Sequence, residues 1–207
     1  MIKTFLEAKH WQLFGLTVGI SLLYQIFLIF SIVSGGDEME EMFIRFIVFL
    51  PLIGVIFLLV LYGWVWSVGV GLQKKIPQDL RLNVKFFKWT VIFPFIYITL
   101  ILGTLSYAFS SDWDYIEQYI DLLDSALFII LPMHYFTLFC LFYQLYFVSK
   151  TIKTMELQRK VTFGDYIGEL VLVLLFPIGI WFVQPKINKF AQSDYMVDED
   201  DYTKQIL

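Results

Sequence analysis

The stretch FIVFLPLIGVIFLLVLYGWVWSVGVGL, Phe46–Leu72, contains no Asp, Glu, Lys or Arg, and the basic linker QKKIPQDLRLNVKFFK, Gln73–Lys88, follows it directly. A helix rises about 1.5 Å per residue, so the apolar stretch is long enough to cross about 30 Å of hydrocarbon. The whole chain shares this bias, because 58% of its residues are hydrophobic and 16% are charged, against roughly 45–50% apolar residues in soluble domains. The sequence therefore predicts a membrane protein built from helices.

Three further stretches of similar length also lack charged residues, namely Trp11–Val33, Trp89–Phe109 and Ser125–Ser149. The charges fall in the short segments between the stretches, as expected where a charge at the bilayer centre costs about 2.5–3.5 kcal/mol. We predict an all-α fold, a polytopic transmembrane helix bundle of about five spans that forms one transmembrane domain over residues 1–190.

The fifth predicted span is Tyr166–Gln184. Its uncharged part, Leu170–Val183, contains Pro177 and is too short to cross easily. Beginning the span at Tyr166 makes it long enough but places Glu169 at the membrane edge. A re-entrant or interfacial segment is the alternative.

The charges of the loops predict an orientation. Two linkers, Gln73–Lys88 and Lys150–Asp165, are rich in Lys and Arg, whereas the loops after spans one and three are acidic. The positive-inside rule places the N-terminus and both basic linkers in the cytoplasm. Five spans then place the C-terminus in the periplasm, although Lys186 and Lys189 after the fifth span fit that side less well.

Two segments flank the spans. Residues 111–124 place Trp113, Ile116, Ile120 and Leu123 on one face at helical spacing, which predicts an amphipathic helix at the outer membrane surface. Residues 191–207 form a polar tail with an acidic block at Asp198–Asp201, and we predict that it is disordered.

Small residues recur at four-residue spacing in two spans and predict close helix packing. We interpret them as packing sites within one chain, with homodimerisation as the alternative. They are Gly15 and Gly19 in span one, and Gly63, Ser67 and Gly71 in span two.

Spans two to five resemble a duplicated helix pair. In each first helix a Leu-Pro pair is followed by Tyr eleven residues after the Pro, and a Phe-Pro pair lies in each second helix. Such pairs also arise by chance in a chain with 22 Phe. If the duplication is real, it favours a full crossing by span five. The matching positions are Leu50-Pro51 with Tyr62 and Phe93-Pro94 in one copy, and Leu131-Pro132 with Tyr143 and Phe176-Pro177 in the other.

The polar groups inside the predicted spans are Gln25, His134, Gln144 and Glu169. Polar and ionisable groups within a span are candidates for function. A lone His is also a common packing residue, and Glu169 is also explained as an edge residue facing Lys160 or Arg159. We predict no metal, no cofactor and no nucleic-acid partner, because the chain has neither the corresponding motifs nor a basic stripe.

The string EEMFIR, Glu40–Arg45, matches E-E-x-x-x-R. It resembles the first motif of the CAAX-processing and bacteriocin-immunity family of intramembrane glutamate proteases, in which a glutamate activates water with help from later histidines. The surroundings of His134 depart from the second motif of that family, and the third motif is missing. This makes an enzyme the most distant of the functional alternatives.

The segments AKHWQLF, residues 8–14, and FPIGIWFVQPKIN, residues 176–188, resemble multi-span membrane proteins of Bacteroidota-type bacteria. That group has no assigned activity, so the resemblance implies a bacterial inner membrane and transfers no functional residues. Uncharged spans favour a non-enzymatic accessory, scaffold or sensor component that binds lipid and either a membrane-protein partner or further copies of itself. A small permease or transporter is the alternative, supported by the repeat and the mid-span prolines.

Overall fold

The computed structural model describes residues 1–34, 39–110 and 120–192, and within these ranges it contains helices and no strand. Four helices are long and apolar enough to cross a membrane, which agrees with the first four predicted spans. The helices are α1 Ile2–Glu7, α2 His10–Phe14, α3 Ile20–Ser34, α4 Met39–Trp66, α5 Val84–Ser110, α6 Ile120–Leu157, α7 Phe163–Leu174 and α8 Phe176–Gln192. A π-helical turn, Gly15–Gly19, joins α2 to α3, and a second one, Ser67–Gly71, extends α4.

The long helices pack in chain order, α4 against α5 and α5 against α6. Their buried contacts concentrate toward the end of the bundle that carries the basic linkers. There the Phe87 ring stacks on Phe147 with ring centroids 4.2 Å apart and lies directly against Gly69, where any side chain would collide with it. This end forms the core, which includes Trp64, Val68, Leu72, Ile152, Ile180 and Ile187.

The fifth predicted span does not form a single crossing helix. It divides at Leu175 into α7 and α8, and the two helices fold back on one another. Glu169 Oε1 lies 3.0 Å from Lys186 Nζ, although the two residues are 17 positions apart and would be about 25 Å apart along a straight helix. The segment is a helical hairpin and not the single crossing helix that the sequence predicted, and among the described residues four helices are long and apolar enough to cross a membrane.

Local chemistry explains the turn of this hairpin. Pro177 lies in the first turn of α8, where a backbone N–H is not needed. In one continuous helix through Leu175, Pro177 would have no N–H for the carbonyl four residues earlier and its ring would clash with that carbonyl. Gly179 lies directly against the Leu172 backbone carbonyl of the other arm. Only a residue without a side chain allows the two arms to approach this closely.

The helix α7 begins at a well-bonded cap. Asp165 Oδ2 accepts hydrogen bonds from the Thr162 backbone N–H at 2.7 Å and from the Thr162 hydroxyl at 2.9 Å, and Arg159 Nη2 lies 2.8 Å from Asp165 Oδ1. The Arg159 guanidinium, together with the Thr162 donors, holds the pKa of the Asp165 carboxyl well below its usual range. The linker from α6 therefore ends in a defined turn that reverses the chain.

The structure does not reproduce the duplicated helix pair. The first Phe-Pro pair lies within α5, a continuous helix of 27 residues, whereas Phe176-Pro177 begins a new helix after the chain has turned. The two tyrosines also differ, since Tyr62 is buried and Tyr143 is half-buried. The same dipeptide therefore occupies two different structural contexts.

The start and the end of the described chain lie at the same end of the bundle. Lys75 Nζ, in the first basic linker, donates to the Phe190 carbonyl at 2.9 Å and to the Ala191 carbonyl at 2.7 Å. The start of the chain packs there too, because α1 contacts both α8 and the π-helical turn after α4. The described chain therefore begins and ends at the same end of the bundle, whereas the sequence predicted an N-terminus and a C-terminus on opposite sides of the membrane.

Three sequence predictions fall wholly or largely outside the described residues. The first is the amphipathic helix over 111–124, of which only 120–124 are described, as part of α6. The second is the acidic loop after span one, of which 35–38 are not described and Glu40 and Glu41 lie in the first turn of α4. The third is the tail, in which Ala191 and Gln192 end α8 and 193–207 are not described.

The small residues of span two lie beneath α1. A Cβ built at Gly63 would meet the Phe5 ring at 2.6 Å, one at Gly71 would meet Ile2 at 2.7 Å, and Ser67 is fully buried between them. Gly15 and Gly19 differ, because no side chain of the described residues lies within 4 Å of a Cβ built at either glycine. Packing within the chain therefore accounts for the span-two set only.

We expect Gly179→Ala to disrupt the hairpin, because the added methyl group overlaps a backbone carbonyl that cannot rotate away. Overpacking of this kind costs about 1–3 kcal/mol or more. Gly168→Ala in α7 is the matched control, since nothing lies within 4 Å of its Cβ position, and it should be neutral or stabilising by about 0.5–1 kcal/mol. Thermal unfolding of both purified variants tests this, and equal melting temperatures would contradict the tight turn.

Candidate functional site

Gln144, a candidate from the sequence, is buried between α5 and α6. Its Nε2 donates to the Thr90 carbonyl with N and O 2.5 Å apart. That carbonyl lies four residues before Pro94, which has no N–H to offer it, so the normal helical hydrogen bond is missing. Gln144 therefore bonds a carbonyl that the proline leaves free.

Two further residues adjoin this amide. Tyr62 of α4 and Cys140 of α6 lie beside Gln144, and both are buried. The Tyr62 ring also packs edge-on against Phe95 of α5, with centroids 5.7 Å apart. These side chains bring α4, α5 and α6 together, and the buried Tyr62 hydroxyl makes no hydrogen bond within the described residues.

Gln184, which sequence reasoning did not single out, is fully buried and makes three hydrogen bonds. Its Oε1 accepts from Trp64 Nε1 at 2.8 Å, and its Nε2 donates to the carbonyls of Phe5 at 3.0 Å and Ala8 at 2.8 Å. The two carbonyls belong to the end of α1 and the break after it. A single amide thus joins α1, α4 and α8. Because Gln184 is the last residue of predicted span five, it did not stand out in the sequence as a polar group within a span.

Gln73 has the same role in the first basic linker. Its Nε2 donates to Thr151 Oγ1 of α6, and its Oε1 accepts from the Leu82 backbone N–H, both at 2.9 Å. Three glutamines therefore bond backbone groups where helical hydrogen bonding is interrupted, at Pro94, after α1 and in the linker before α5.

Glu169 belongs to an ionic cluster at the open end of the hairpin. One of its oxygens lies 3.3 Å from Lys153 Nζ and 3.0 Å from Lys186 Nζ. Glu156 pairs with the same two lysines, at 2.9 Å and 3.4 Å. The cluster holds both arms of the hairpin against α6, so the edge partners predicted for Glu169, Lys160 and Arg159, are replaced by Lys153 and Lys186.

His134 lies on the exposed side of α6. Its Nδ1 is 3.3 Å from the Tyr97 hydroxyl of α5, which also lies 3.4 Å from the Ile130 carbonyl. Within the described part of the chain, Nε2 has no hydrogen-bond partner. His134 is therefore exposed, with Nδ1 beside Tyr97 and with Nε2 unpaired within the described residues.

Gln25 is also exposed. It lies in the middle of the first crossing helix, and its amide makes no hydrogen bond to any described residue. The four candidates thus divide into two inward groups, Gln144 and Glu169, and two outward groups, Gln25 and His134. They do not form one site.

The described residues contain no group of three His, Cys, Asp or Glu side chains placed to hold a metal ion. Glu40, Glu41 and Arg45 lie on the first turns of α4, and their side chains are outside the described part of the structure. Comparison of the chain with family models, curated proteins and solved structures found no match.

We expect Gln144→Leu to destabilise the fold by about 1–3 kcal/mol, the usual cost of leaving a buried polar group without a partner. In a Pro94→Ala background, residue 94 regains an N–H for the Thr90 carbonyl, so the same substitution should cost much less. Unfolding free energies of the four proteins of this double-mutant cycle measure the difference. An equal cost in both backgrounds would show that Gln144 does not act through this carbonyl.

Proposed function

We propose that the protein is a non-enzymatic component of a bacterial inner membrane, acting as an accessory, scaffold or sensor subunit that binds another membrane protein. The observation that carries this proposal is the direction of its polar groups. The buried glutamines and Glu169 bond to the chain itself, whereas His134 faces outward at a depth where lipid offers it no hydrogen bond.

The surface around His134 suits a helix of a partner. Side chains on one face of α6 are between 42% and 85% exposed, and their spacing makes a continuous apolar stripe along the helix. An outward imidazole beside that stripe gains a hydrogen bond when a partner helix covers it, and such bonds contribute about 1–2 kcal/mol in model peptides. The stripe consists of Phe128, Leu131, Tyr135, Leu138 and Phe142.

Tyr97 supports this role by orienting the ring. Its hydroxyl lies beside Nδ1, while Nε2 is left for a second partner. The stacked Phe93 and Tyr97 rings, with centroids 6.1 Å apart, together with Phe136 packed against Phe93, limit how the tyrosine can move. The imidazole is thus held in one orientation before a partner arrives, which lowers the entropic cost of binding.

Transport is the alternative function, and it requires a polar group inside the bundle that is available to bind a substrate. Gln144 was the best candidate for that task, yet its amide is already bonded to the carbonyl freed by Pro94. The geometry therefore favours the binding role.

The orientation we propose places both termini in the cytoplasm. Four crossings return the chain to its starting side, and the hairpin adds no crossing. Lys186 and Lys189 then lie on the same side as the basic linkers, which agrees with the positive-inside rule.

Reporter fusions test this orientation. Alkaline phosphatase fused after Leu207 should be inactive and a green fluorescent protein at the same point should fluoresce, since the first needs the periplasm and the second the cytoplasm. Fusions after Asp37, in the first acidic loop, serve as the control and should give the opposite pair of signals. A periplasmic signal at Leu207 would restore a fifth crossing.

The binding role is tested by purifying the tagged native protein in mild detergent and identifying its companions by mass spectrometry. We expect a second membrane protein in stoichiometric amount, and its recovery should fall several-fold in His134→Leu while the melting temperature stays within a few degrees. Met133→Leu, a volume-conserving change on the same helix, should retain it. The proposal fails if the native protein brings no companion or if His134→Leu retains it fully.

A further inference from the structure

The first crossing helix stands apart from the rest of the bundle. Only 11% of its most apolar 18-residue stretch is buried, against 39% of the corresponding stretch in the crossing helix that contains Tyr62. One side of α3 contacts α4, and the rest of its surface is largely exposed. Large side chains are 46% exposed at Leu22, 59% at Ile29 and 81% at Val33.

Gln25 lies within this exposed surface. With Leu22, Ile29 and Val33 it follows steps of three, four and four residues, which place the four side chains on one face of a helix. An amide that faces hydrocarbon without a partner is costly, and a single polar residue in an apolar seam commonly sets the register of a helix pair. The face therefore has both the apolar area and the polar group of a helix-pairing seam.

We propose that two copies of this protein pair through this face, with the Gln25 amide of each copy bonded to the Gln25 amide of the other. Copies inserted by the same route have the same orientation, so their first crossing helices run parallel and equal residues lie at equal depth. A two-fold axis along the membrane normal then brings Gln25 against Gln25.

The chemistry of the amide suits this self-pairing. Each amide has an N–H donor and a carbonyl acceptor, so two of them facing each other across a two-fold axis bond reciprocally and leave neither oxygen unpaired. A different protein would need its own polar group at the same depth, whereas a second copy supplies one by symmetry. This inference goes beyond the proposed function, because it requires no second kind of polypeptide.

The pairing is tested with donor-labelled and acceptor-labelled copies of the full chain in liposomes, by following energy transfer as lipid dilutes the protein. Interhelical hydrogen bonds contribute about 0.6–2 kcal/mol, so Gln25→Leu should weaken the apparent dissociation constant about 3- to 30-fold. Gln25→Asn keeps a self-complementary amide and should retain most of the association. Phe27→Leu changes an exposed residue on the side of α3 that faces away from Gln25 and should have no effect.

A cross-link gives a second, independent readout. In a Cys140→Ser background, Leu22→Cys should form an intermolecular disulfide under a membrane-permeable oxidant, and Phe27→Cys should not. The proposal is overturned if the native protein stays monomeric at every dilution, if Gln25→Leu associates like the native protein, or if both cysteines cross-link equally. None of these outcomes affects the search for a second polypeptide, so a failure here is distinct from a failure of the proposed function.

Discussion

The structure depends on one constraint, which is that backbone N–H and C=O groups in an apolar environment must find partners within the protein. This chain interrupts its helical hydrogen bonding after α1, at Pro94 and at Leu175, and each interruption frees such groups. Glutamine amides compensate for two of them, since Gln144 reaches the Thr90 carbonyl and Gln184 reaches the carbonyls at the end of α1. The same bonds tie distant helices together, because each amide belongs to a different helix from the group it satisfies.

The hairpin of α7 and α8 follows the same logic at its two ends. The closed end is possible because Gly179 presents no side chain to the Leu172 carbonyl, and the open end is held by Glu169 and Glu156 with two lysines. Because the charges lie together at the end with the basic linkers, they need not enter the apolar part of the bundle. Lys186 agreed poorly with the periplasmic side that five crossings would give it. In the structure it belongs to this ionic cluster, at the same end of the bundle as the basic linkers.

The division between inward and outward polar groups connects the fold to its proposed role. Inward amides stabilise the bundle and are already engaged by the chain itself, whereas His134 and Gln25 face away from it. The two lie on different crossing helices, α6 and α3, and on separate exposed faces. The proposed self-pairing through α3 and the proposed binding of another membrane protein through α6 therefore use different helices.

Hydropathy alone was sufficient to find the four crossing helices, because the cost of burying charge in hydrocarbon acts locally along each stretch and needs no knowledge of its neighbours. It also located Gln25, Gln144, His134 and Glu169 as the polar exceptions. Only the tertiary structure decided which of them face inward, that Gln184 joins three helices, and that the chain turns at Leu175. Those outcomes depend on contacts between residues far apart in sequence, such as Gln184 with Phe5 and Gln144 with Thr90, and no local pattern records which distant carbonyl an amide will reach.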